Sequence, residues 1–211
     1  MLTRPSFLAL IVAPSAQHNH VVDERARLAI GSCGLPLDGF HLPHRLARTI
    51  RAGRLAVSAD TAFADTVRAC AEPRPGHPES WINGPIVELY TELHRRGHAH
   101  SVECRMDGRL VGGLYGVSVG GVFFGESMFS RERDASKVAL VHLVARLIKG
   151  GCRLLDCQFM TEHLRSFGAI EIPREEFRIL LADAIDRPAT FQRELGGADP
   201  CAIVQESTRT S

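Results

Sequence analysis

Three strand-like runs separated by tight-turn signals limit the possible folds of this chain more than any other pattern in it. The runs span residues 98–106, 109–117 and 122–126, and they are separated by Asp107-Gly108 and Gly120-Gly121. Both dipeptides favour the two-residue turns that join antiparallel neighbours in a hairpin. The sequence therefore predicts an antiparallel meander.

Helical patterns surround this meander. Before it, Pro85 opens a helix in which residues 86, 89, 90 and 93 repeat at helical spacing, and Gly97 supplies the stop. After it come a helix over 136–149, a buried strand over 152–158, a short helix over 161–167 and a strand over 169–172. Pro173 opens a last helix with Phe177, Leu180 and Leu181 expected to face inward. Strands and helices in this order predict an α+β fold.

The region before the meander is predicted to be smaller and mainly helical. A helix is expected over 41–53, and Asp60 is the expected N-cap of a second helix with Phe63, Val67 and Cys70 inward. Three prolines in 72–78 indicate a linker or exposed loop. We therefore divide the chain into a divergent segment 1–34, a helical region 35–78, a main domain 79–187 and a C-terminal tail 188–211.

Composition excludes several classes of protein. With 25 basic and 24 acidic side chains, a net charge of +1 and 45% hydrophobic residues, the chain is neither disordered nor uniformly polybasic. The longest apolar run, residues 7–13, is too short for a membrane-spanning helix, which needs about 20 residues. The six cysteines are dispersed and form no C-x-x-C pair, which favours free thiols in a reducing cytoplasm.

Two polar residues stand on one apolar strand. Side chains two residues apart on a strand share a face, so Asp156 and Gln158 are expected to point together while their neighbours point away. They can be a solvated strand end, which spacing alone favours. They can also form a relay in which a carboxylate orients the amide, whose oxygen then holds a proton of an attacking amine.

Glu126, at the end of a strand rich in Phe and Gly, has two similar interpretations. It can be a solvated strand end, or it can neutralise a cationic ligand, because a carboxylate between aromatic walls needs a partner. His94, His98 and His100 suggest a metal site, but Gly97 ends the helix between the first two and no cysteine or carboxylate completes a tetrahedral set in the sequence. We therefore expect no metal.

One segment is basic without mixed charges. Arg45, Arg48, Arg51 and Arg54 recur every third residue, with no acidic residue between positions 38 and 60. A solvated helix face is the default interpretation, but phosphates are the natural counter-ligand of such a segment. The single tryptophan, Trp81, can be a hydrophobic staple for the following helix or a stacking platform for a nucleotide base.

Taken together, seven short motifs resemble those of the leucyl/phenylalanyl-tRNA-protein transferases. Their order and spacing carry the resemblance, which extends from about Gly34 to Pro188. The motifs are WI at 81–82, GHAHSVE at 97–103, LVGGLYG at 110–116, FGESMFSR at 124–131, DASK at 134–137, LDCQ at 155–158 and GAIEIP at 168–173.

The resemblance implies a function and a fold. The family transfers Leu, Phe or Met from aminoacyl-tRNA to the N-terminal Lys or Arg of a protein, which marks that protein for degradation in the N-degron pathway. Its main domain resembles an N-acetyltransferase fold. The reaction is aminolysis of an activated ester, so no metal or nucleotide cofactor is expected. The implied enzyme is a cytoplasmic aminoacyltransferase, acting as a monomer and without a membrane partner.

The resemblance also implies roles for individual residues. Asp156 and Gln158 match the catalytic pair, and Glu126 matches the acid of the acceptor site. Trp81 lies where the terminal adenosine binds, and Arg45, Arg48, Arg51 and Arg54 lie where the family binds tRNA. The residues that match the lining of the aminoacyl pocket are Leu114, Phe123, Met128, Leu140 and Leu155.

Residues 1–34 depart from the family pattern, because the expected motif of the type Gly-Ile-Phe-Pro does not occur in them. A shifted reading frame or start is our hypothesis for this segment, and the nucleotide sequence in the other two frames would test it. Two alternative functions remain. One is an acyl-CoA-dependent N-acetyltransferase, which would need a pyrophosphate-binding loop where residues 131–134 read RERD. The other is a tRNA or N-degron binder without catalysis.

Overall fold

A seven-stranded sheet organises the part of the chain that the structure, a computed structural model, describes. The described residues are 32–73, 80–158 and 160–209. The divergent segment 1–34 except its last three residues, and residues 74–78 of the Pro-rich segment, therefore lie outside the described residues. The strands are β1 Ser32–Pro36, β2 Ala56–Ala59, β3 Ala99–Met106, β4 Arg109–Val119, β5 Val122–Ser130, β6 Leu154–Asp156 and β7 Ile170–Ile172.

The sheet is mixed. Its strand order is β2-β3-β4-β5-β6-β1-β7, and every adjacent pair is antiparallel except β5 with β6, which is parallel. The helices are α1 His44–Arg51, α2 Phe63–Ala71, α3 Gly84–Arg95, α4 Ala135–Lys149, α5 Glu162–Arg165, α6 Arg174–Ile185 and α7 Pro200–Ser207, with a 3-10 turn at Leu37–Gly39. The predicted α+β class is confirmed. No helix among the described residues has the length and apolar character needed to cross a bilayer.

The meander predicted from the turn signals forms the centre of the sheet. Asp107 and Gly108 both have positive φ, 51° and 77°, as a type I′ turn requires. At the next turn Gly120 has φ of 55° and Gly121 follows it, which suits a type II′ turn between the paired residues Val119 and Val122. Strand β5 continues four residues beyond the predicted end at 126.

Helices cover both faces of the sheet. A side chain at Gly112 would contact Ala135 of α4, whereas a side chain at the next residue, Gly113, would contact Thr66 of α2. Because adjacent strand residues face opposite ways, α4 and α2 cover opposite faces. Helices α1 and α7 pack against α4, and α3 packs beside α2. The largest apolar cluster lies between α4 and the sheet.

Several local expectations were wrong. Asp60 is not the N-cap of α2; the cap is Ala62, and the Asp60 carboxylate instead accepts hydrogen bonds from the Ser101 N–H and His100. Leu180 of α6 is 38% exposed rather than inward. Strands β1 and β2 were not predicted: β2 lies in the region expected to be mainly helical, and β1, which begins in the divergent segment, pairs with β6 and β7.

Candidate active site

The candidate site lies where β6 ends beside β5. Strands β5 and β6 run parallel with Phe124 opposite Asp156, and β6 ends at that residue while β5 continues to Ser130. The sheet therefore loses its pairing on this side of β5 from Gly125 onward. The Asp156 side chain, 8% exposed, stands at the point where the two strands separate.

Gln158 lies beyond the strand in a left-handed conformation, with φ of 62°. Its backbone N–H donates to Oδ1 of Asp156 at 3.0 Å, and its side-chain Nε2 donates to the Gly125 carbonyl at 3.3 Å and to Oε2 of Glu126 at 3.4 Å. The simple alternation of a strand, from which a shared face was expected, therefore does not extend to residue 158. A non-glycine residue at positive φ is uncommon and often occurs at functional sites.

The orientation of the Gln158 amide follows from its neighbours. The two groups near Nε2 are the Gly125 carbonyl and the Glu126 carboxylate. Both accept hydrogen bonds and cannot donate them, so the NH2 end of the amide must face them. The Glu126 carboxylate is therefore one of the groups that orient the amide. Asp156 also holds the backbone at residue 158 through its Oδ1.

Glu126 occupies a β-bulge. Tyr115 pairs with Ser127 and Gly116 pairs with Gly125, so Glu126 is the extra residue of β5. A bulge re-aims one side chain and reverses the alternation beyond it. This explains why Phe123 and Met128, five residues apart, both pack in the cluster beneath α4, although regular alternation would put them on opposite faces.

Tyr90 of α3 joins Glu126 to Trp81. The Tyr90 hydroxyl is hydrogen bonded to Glu126, and burial together with this carboxylate raises the pKa of the phenol. The Trp81 ring packs edge-on against Tyr90 with 6.5 Å between centroids, and Tyr90 packs edge-on against Tyr115 at 5.1 Å. The sequence placed Tyr90 in the inward stripe of the helix, and the residue is indeed buried. Its contact with Glu126 was not predicted, because a hydroxyl in that stripe gives no sign of its partner.

Trp81 itself is 54% exposed. Helix α3 begins at Gly84 with Asn83 as its N-cap, whose side chain accepts from the Ile86 N–H at 3.1 Å. The position before the cap, where a hydrophobic staple would stand, is therefore Ile82, which is 6% exposed. The structure thus disfavours the staple interpretation of Trp81 and leaves a large aromatic surface in contact with solvent.

The five residues expected to line the aminoacyl pocket are brought together. Leu114 pairs with Met128 across β4 and β5, and Phe123 pairs with Leu155 across β5 and β6. Leu114, Phe123, Leu140 and Leu155 are at most 3% exposed, and Met128 is half-buried against the same cluster. All five therefore belong to, or pack against, the apolar cluster between α4 and the sheet.

The basic segment is exposed but lies on another side of the molecule. Arg45, Arg48 and Arg51 belong to α1, which packs on the α4 face, whereas Trp81 and Tyr90 accompany α3 on the opposite face. Arg51 forms an ion pair with Asp199 at 3.2 Å, so an acid that is remote in sequence offsets part of the local charge. Arg54 follows α1 and is exposed.

Two of the three histidines considered for a metal converge on Asp60. His100 Nδ1 lies 2.8 Å from Asp60 Oδ2 and His94 Nδ1 lies 3.8 Å from Oδ1, so a carboxylate is present that the local sequence did not reveal. The carboxylate also accepts from Arg193 Nε at 2.8 Å. Burial disfavours the charge, but the hydrogen bonds from His100, Ser101 and Arg193 hold the pKa of Asp60 below its usual value. The cluster is therefore a satisfied hydrogen-bond network.

Comparison with known proteins assigns the family. A family model for leucyl/phenylalanyl-tRNA protein transferase matches residues 34–182. A relative from Phenylobacterium zucineum named leucyl/phenylalanyl-tRNA–protein transferase is 62% identical over 168 residues, which are 80% of this chain and 76% of the relative.

Two further relatives carry the same name. The protein from Caulobacter vibrioides strain NA1000 / CB15N is 55% identical over 177 residues, covering 84% of this chain and 82% of the relative. The protein from Rhodopseudomonas palustris strain HaA2 is 58% identical over 157 residues, covering 74% of this chain and 70% of the relative. With the match to the family model, these identities show that the chain belongs to the leucyl/phenylalanyl-tRNA–protein transferase family of aminoacyltransferases.

Proposed function

We propose that this protein transfers leucine, phenylalanine or methionine from aminoacyl-tRNA to the N-terminal Lys or Arg of acceptor proteins, marking them for degradation. Family membership supports the donor and the protein acceptor. The observation that carries the proposal is the connected group of Gln158, Glu126 and Tyr90 beside Asp156, at the point where β5 and β6 separate.

The reaction is aminolysis of an ester. The acceptor α-amine attacks the aminoacyl carbonyl carbon, the new C–N bond forms, the C–O bond to the terminal ribose breaks, and a proton from the amine ends on the ribose oxygen. The ester is already activated, so the chemistry can proceed on this chain's side chains alone. We propose that Gln158 Oε1, at the end of the amide opposite the held NH2, accepts a hydrogen bond from the attacking amine.

Asp156 and Glu126 support Gln158 in different ways. Asp156 fixes the left-handed backbone through the Gln158 N–H, and Glu126 enriches the amide oxygen by accepting from Nε2. Glu126 is half-buried, so its charge also suits the cationic side chain of an N-terminal Lys or Arg. Tyr90 positions Glu126 through its hydroxyl.

We assign the aminoacyl side chain to the part of the apolar cluster formed by Leu114, Phe123, Met128, Leu140 and Leu155, of which Met128 is the partly exposed member. An apolar pocket distinguishes substrates that differ by one methylene by only about 1 to 3 kcal/mol, so Leu, Phe and Met can all be accepted. Met128 supports this breadth because thioether side chains adapt their shape. Residues 79–187 would then contain the whole catalytic centre, from Trp81 to Gln158.

We assign the terminal adenosine to the exposed ring of Trp81 and the tRNA backbone to the arginines at 45, 48 and 54. The ion pair of Arg51 with Asp199 makes Arg51 a weaker phosphate ligand than its neighbours. Since Trp81 and α1 lie on opposite faces of the sheet, a bound tRNA would reach around an edge of the domain.

The finer fold and setting are also part of the proposal. A meander followed by a helix and a parallel strand suits an N-acetyltransferase-like domain, and the six cysteines, which form no disulfide, suit a cytoplasmic monomer. An acyl-CoA donor is less suitable. Asp134, at the N-cap of α4, carries a negative charge where a pyrophosphate would bind, although Lys137 pairs with it at 3.3 Å.

The decisive experiment incubates the protein with radiolabelled Phe-tRNA and a peptide that begins with Arg. The native protein is expected to form labelled peptide, and the same peptide with labelled acetyl-CoA should stay unlabelled. Tight binding of Phe-tRNA without transfer would instead support a binding protein.

Variants test the proposed role of Gln158. Gln158→Ala is expected to lower the transfer rate by about 100-fold or more while leaving the Kd for Phe-tRNA unchanged, because the amide acts on the attacking amine. The matched control is Gln192→Ala, which removes an amide bonded to the Thr190 carbonyl outside the site. Undiminished transfer by Gln158→Ala would remove Gln158 from the mechanism.

A further inference from the structure

Two cysteines stand opposite each other on β1 and β6. The register pairs Gly34 with Asp156 and Leu35 with Leu155, and the next position in each direction is Cys33 opposite Cys157. The Cys157 N–H donates to the Cys33 carbonyl at 2.8 Å. The Cys33 thiol donates to Met160 Sδ at 4.0 Å, and the Cys157 thiol donates to the Leu155 carbonyl at 3.9 Å. The other cysteines of the described residues are likewise outside disulfides, but each of them lies on a different element or loop.

The geometry of this pair allows a covalent bond. Directly opposed residues in a hydrogen-bonded antiparallel pair have Cα atoms about 5.5 Å apart, which is within the range of about 4.4 to 6.8 Å found for disulfides. Cys157 is half-buried and Cys33 is 3% exposed, so a small reagent such as a peroxide reaches the Cys33 thiol past Cys157. A hydrogen bond from the Cys157 thiol to the Cys33 thiolate lowers the pKa of Cys33, while burial raises the pKa of Cys104 to about 12 and of Cys152 to about 11.

The cysteine pair lies next to Gln158, the residue to which we assign the attacking amine. Cys157 lies between Asp156 and Gln158 in the chain, directly after the last residue of β6. Any movement of its Cα atom therefore moves the backbone of Gln158. The contacts of the Gln158 amide, at 3.3 Å to Gly125 and 3.4 Å to Glu126, are already near the upper limit for hydrogen bonds.

We propose that Cys33 and Cys157 form an oxidisable dithiol, and that its conversion to a disulfide by a peroxide switches off aminoacyl transfer. The Cys33 thiolate attacks one oxygen of hydrogen peroxide, giving a sulfenic acid and hydroxide. The Cys157 sulfur then loses its proton, attacks the sulfenic sulfur and releases water. In total, two thiols and one peroxide give one disulfide and two waters, and a reducing dithiol reverses the change.

Formation of the bond shortens the distance between the two sulfur atoms to about 2 Å. Opposed Cβ atoms in a hydrogen-bonded pair lie about 5.5 Å apart, whereas a disulfide holds them about 3.5 to 4.5 Å apart. The bond therefore draws residue 157 toward β1 and withdraws the Gln158 amide from Glu126. A misplacement of about 1 Å at a reacting group can lower a rate by about 100-fold. The loss of transfer rests on the proposed role of Gln158, whereas formation of the disulfide does not.

The test treats the complete protein with hydrogen peroxide, blocks remaining thiols and measures both linkage and activity. Trypsin would release the peptides 28–45 and 154–165, each containing one of the two cysteines. We expect these peptides to be joined, with a mass two hydrogens below their sum, and the transfer rate from Phe-tRNA to fall at least about tenfold. Dithiothreitol should restore the rate.

Cys33→Ala is expected to keep its transfer rate through the same treatment, and Cys152→Ala, which removes a buried thiol elsewhere, should remain as sensitive as the native protein. Peroxide inactivation without the linked peptides would overturn the proposal, and so would equal sensitivity of Cys33→Ala. Linked peptides with an unchanged transfer rate would overturn the switch. The role of Gln158 itself is tested separately by Gln158→Ala, which needs no oxidation. If Cys33→Ala does not fold, the linked peptides of the native protein still decide whether the bond forms.

Discussion

The side-chain nitrogen of Gln158 lies 3.4 Å from Oε2 of Glu126, and this contact joins the residue after β6 to the bulge of β5. The two strands have no pairing beyond Phe124 and Asp156, so the contact connects them where the sheet opens. A carboxylate behind the amide favours the orientation in which the amide oxygen faces away from Glu126. The reactivity that we assign to Gln158 therefore depends on Glu126.

Glu126→Gln should lower kcat for transfer by about 10- to 100-fold, the equivalent of a charge-assisted hydrogen bond worth about 1.5 to 3 kcal/mol. The new amide can donate as well as accept, so it no longer fixes the orientation of Gln158. KM for a peptide that begins with Arg should also rise, because the negative charge is lost. Steady-state kinetics with that peptide measure both effects. Glu88→Gln, at an exposed position of α3, is the control, and an unchanged kcat for Glu126→Gln would refute the orienting role.

Trp81→Ala should weaken binding of aminoacyl-tRNA by the free energy of one stacked base, about 1 to 3 kcal/mol, or roughly 5- to 150-fold in Kd. Because the ring is 54% exposed, the thermal midpoint of unfolding should change little. Trp81→Phe keeps an aromatic face and should retain most of the affinity. Fluorescence anisotropy with a labelled tRNA measures the Kd; equal affinities for the two variants would argue against stacking.

The arginines of α1 provide a test based on salt dependence. Replacing Arg45 and Arg48 by Ala should lower tRNA affinity and reduce the slope of log K against log salt by about 0.7 to 0.9 for each phosphate that the protein no longer binds. Arg51→Ala should have a smaller effect, because Asp199 already neutralises Arg51. Arg178→Ala is the control, since Arg178 is exposed on α6 and pairs with Glu175. A slope that is the same in the double variant and in the control would exclude phosphate binding by α1.

Local patterns predicted the central elements because their determinants are local. The turn at Asp107 and Gly108 and the apolar face of α4 depend on residues within a few positions of each other, so the meander and the long helix could be predicted from the sequence. The pairing of β1 with β6 depends on residues more than 100 positions apart, and a five-residue strand carries little periodicity by itself. The same holds for α7, which lies in the segment described from the sequence only as a C-terminal tail and which packs on α4.

The sequence predicted which residues belong to the candidate site but not how they contact one another. Asp156, Gln158, Glu126 and Trp81 were named from residue type and family resemblance, and these remain predictions about function. The bulge at Glu126 could not be foreseen because it is defined by the register of β4 against β5. The hydroxyl of Tyr90 was missed because a buried tyrosine looks like any apolar residue until its partner is known.

Stability toward acid should depend on His142 of α4. Arg146 donates from Nη1 to the His142 carbonyl at 3.0 Å and lies 3.3 Å from Nδ1, and burial together with this cation lowers the pKa of His142 to about 4. Above about pH 6.5, the ordinary pKa of histidine, the residue is neutral in both the folded and the unfolded chain, so it adds no pH dependence. Between about pH 6.5 and pH 4 only the unfolded chain binds the proton, which lowers the free energy of unfolding by about 1.4 kcal/mol per pH unit.

His142→Gln removes this titration and should therefore recover about 2 kcal/mol of the stability that the native protein loses between pH 6.5 and pH 5. Urea unfolding at a series of pH values measures the two slopes. His44→Gln, at an exposed position of α1, is the matched control and should keep the native slope. Other groups also titrate in this range, so the test compares the two variants with each other. Parallel curves of unfolding free energy against pH for His142→Gln and His44→Gln would show that His142 is protonated equally in the folded and unfolded chains.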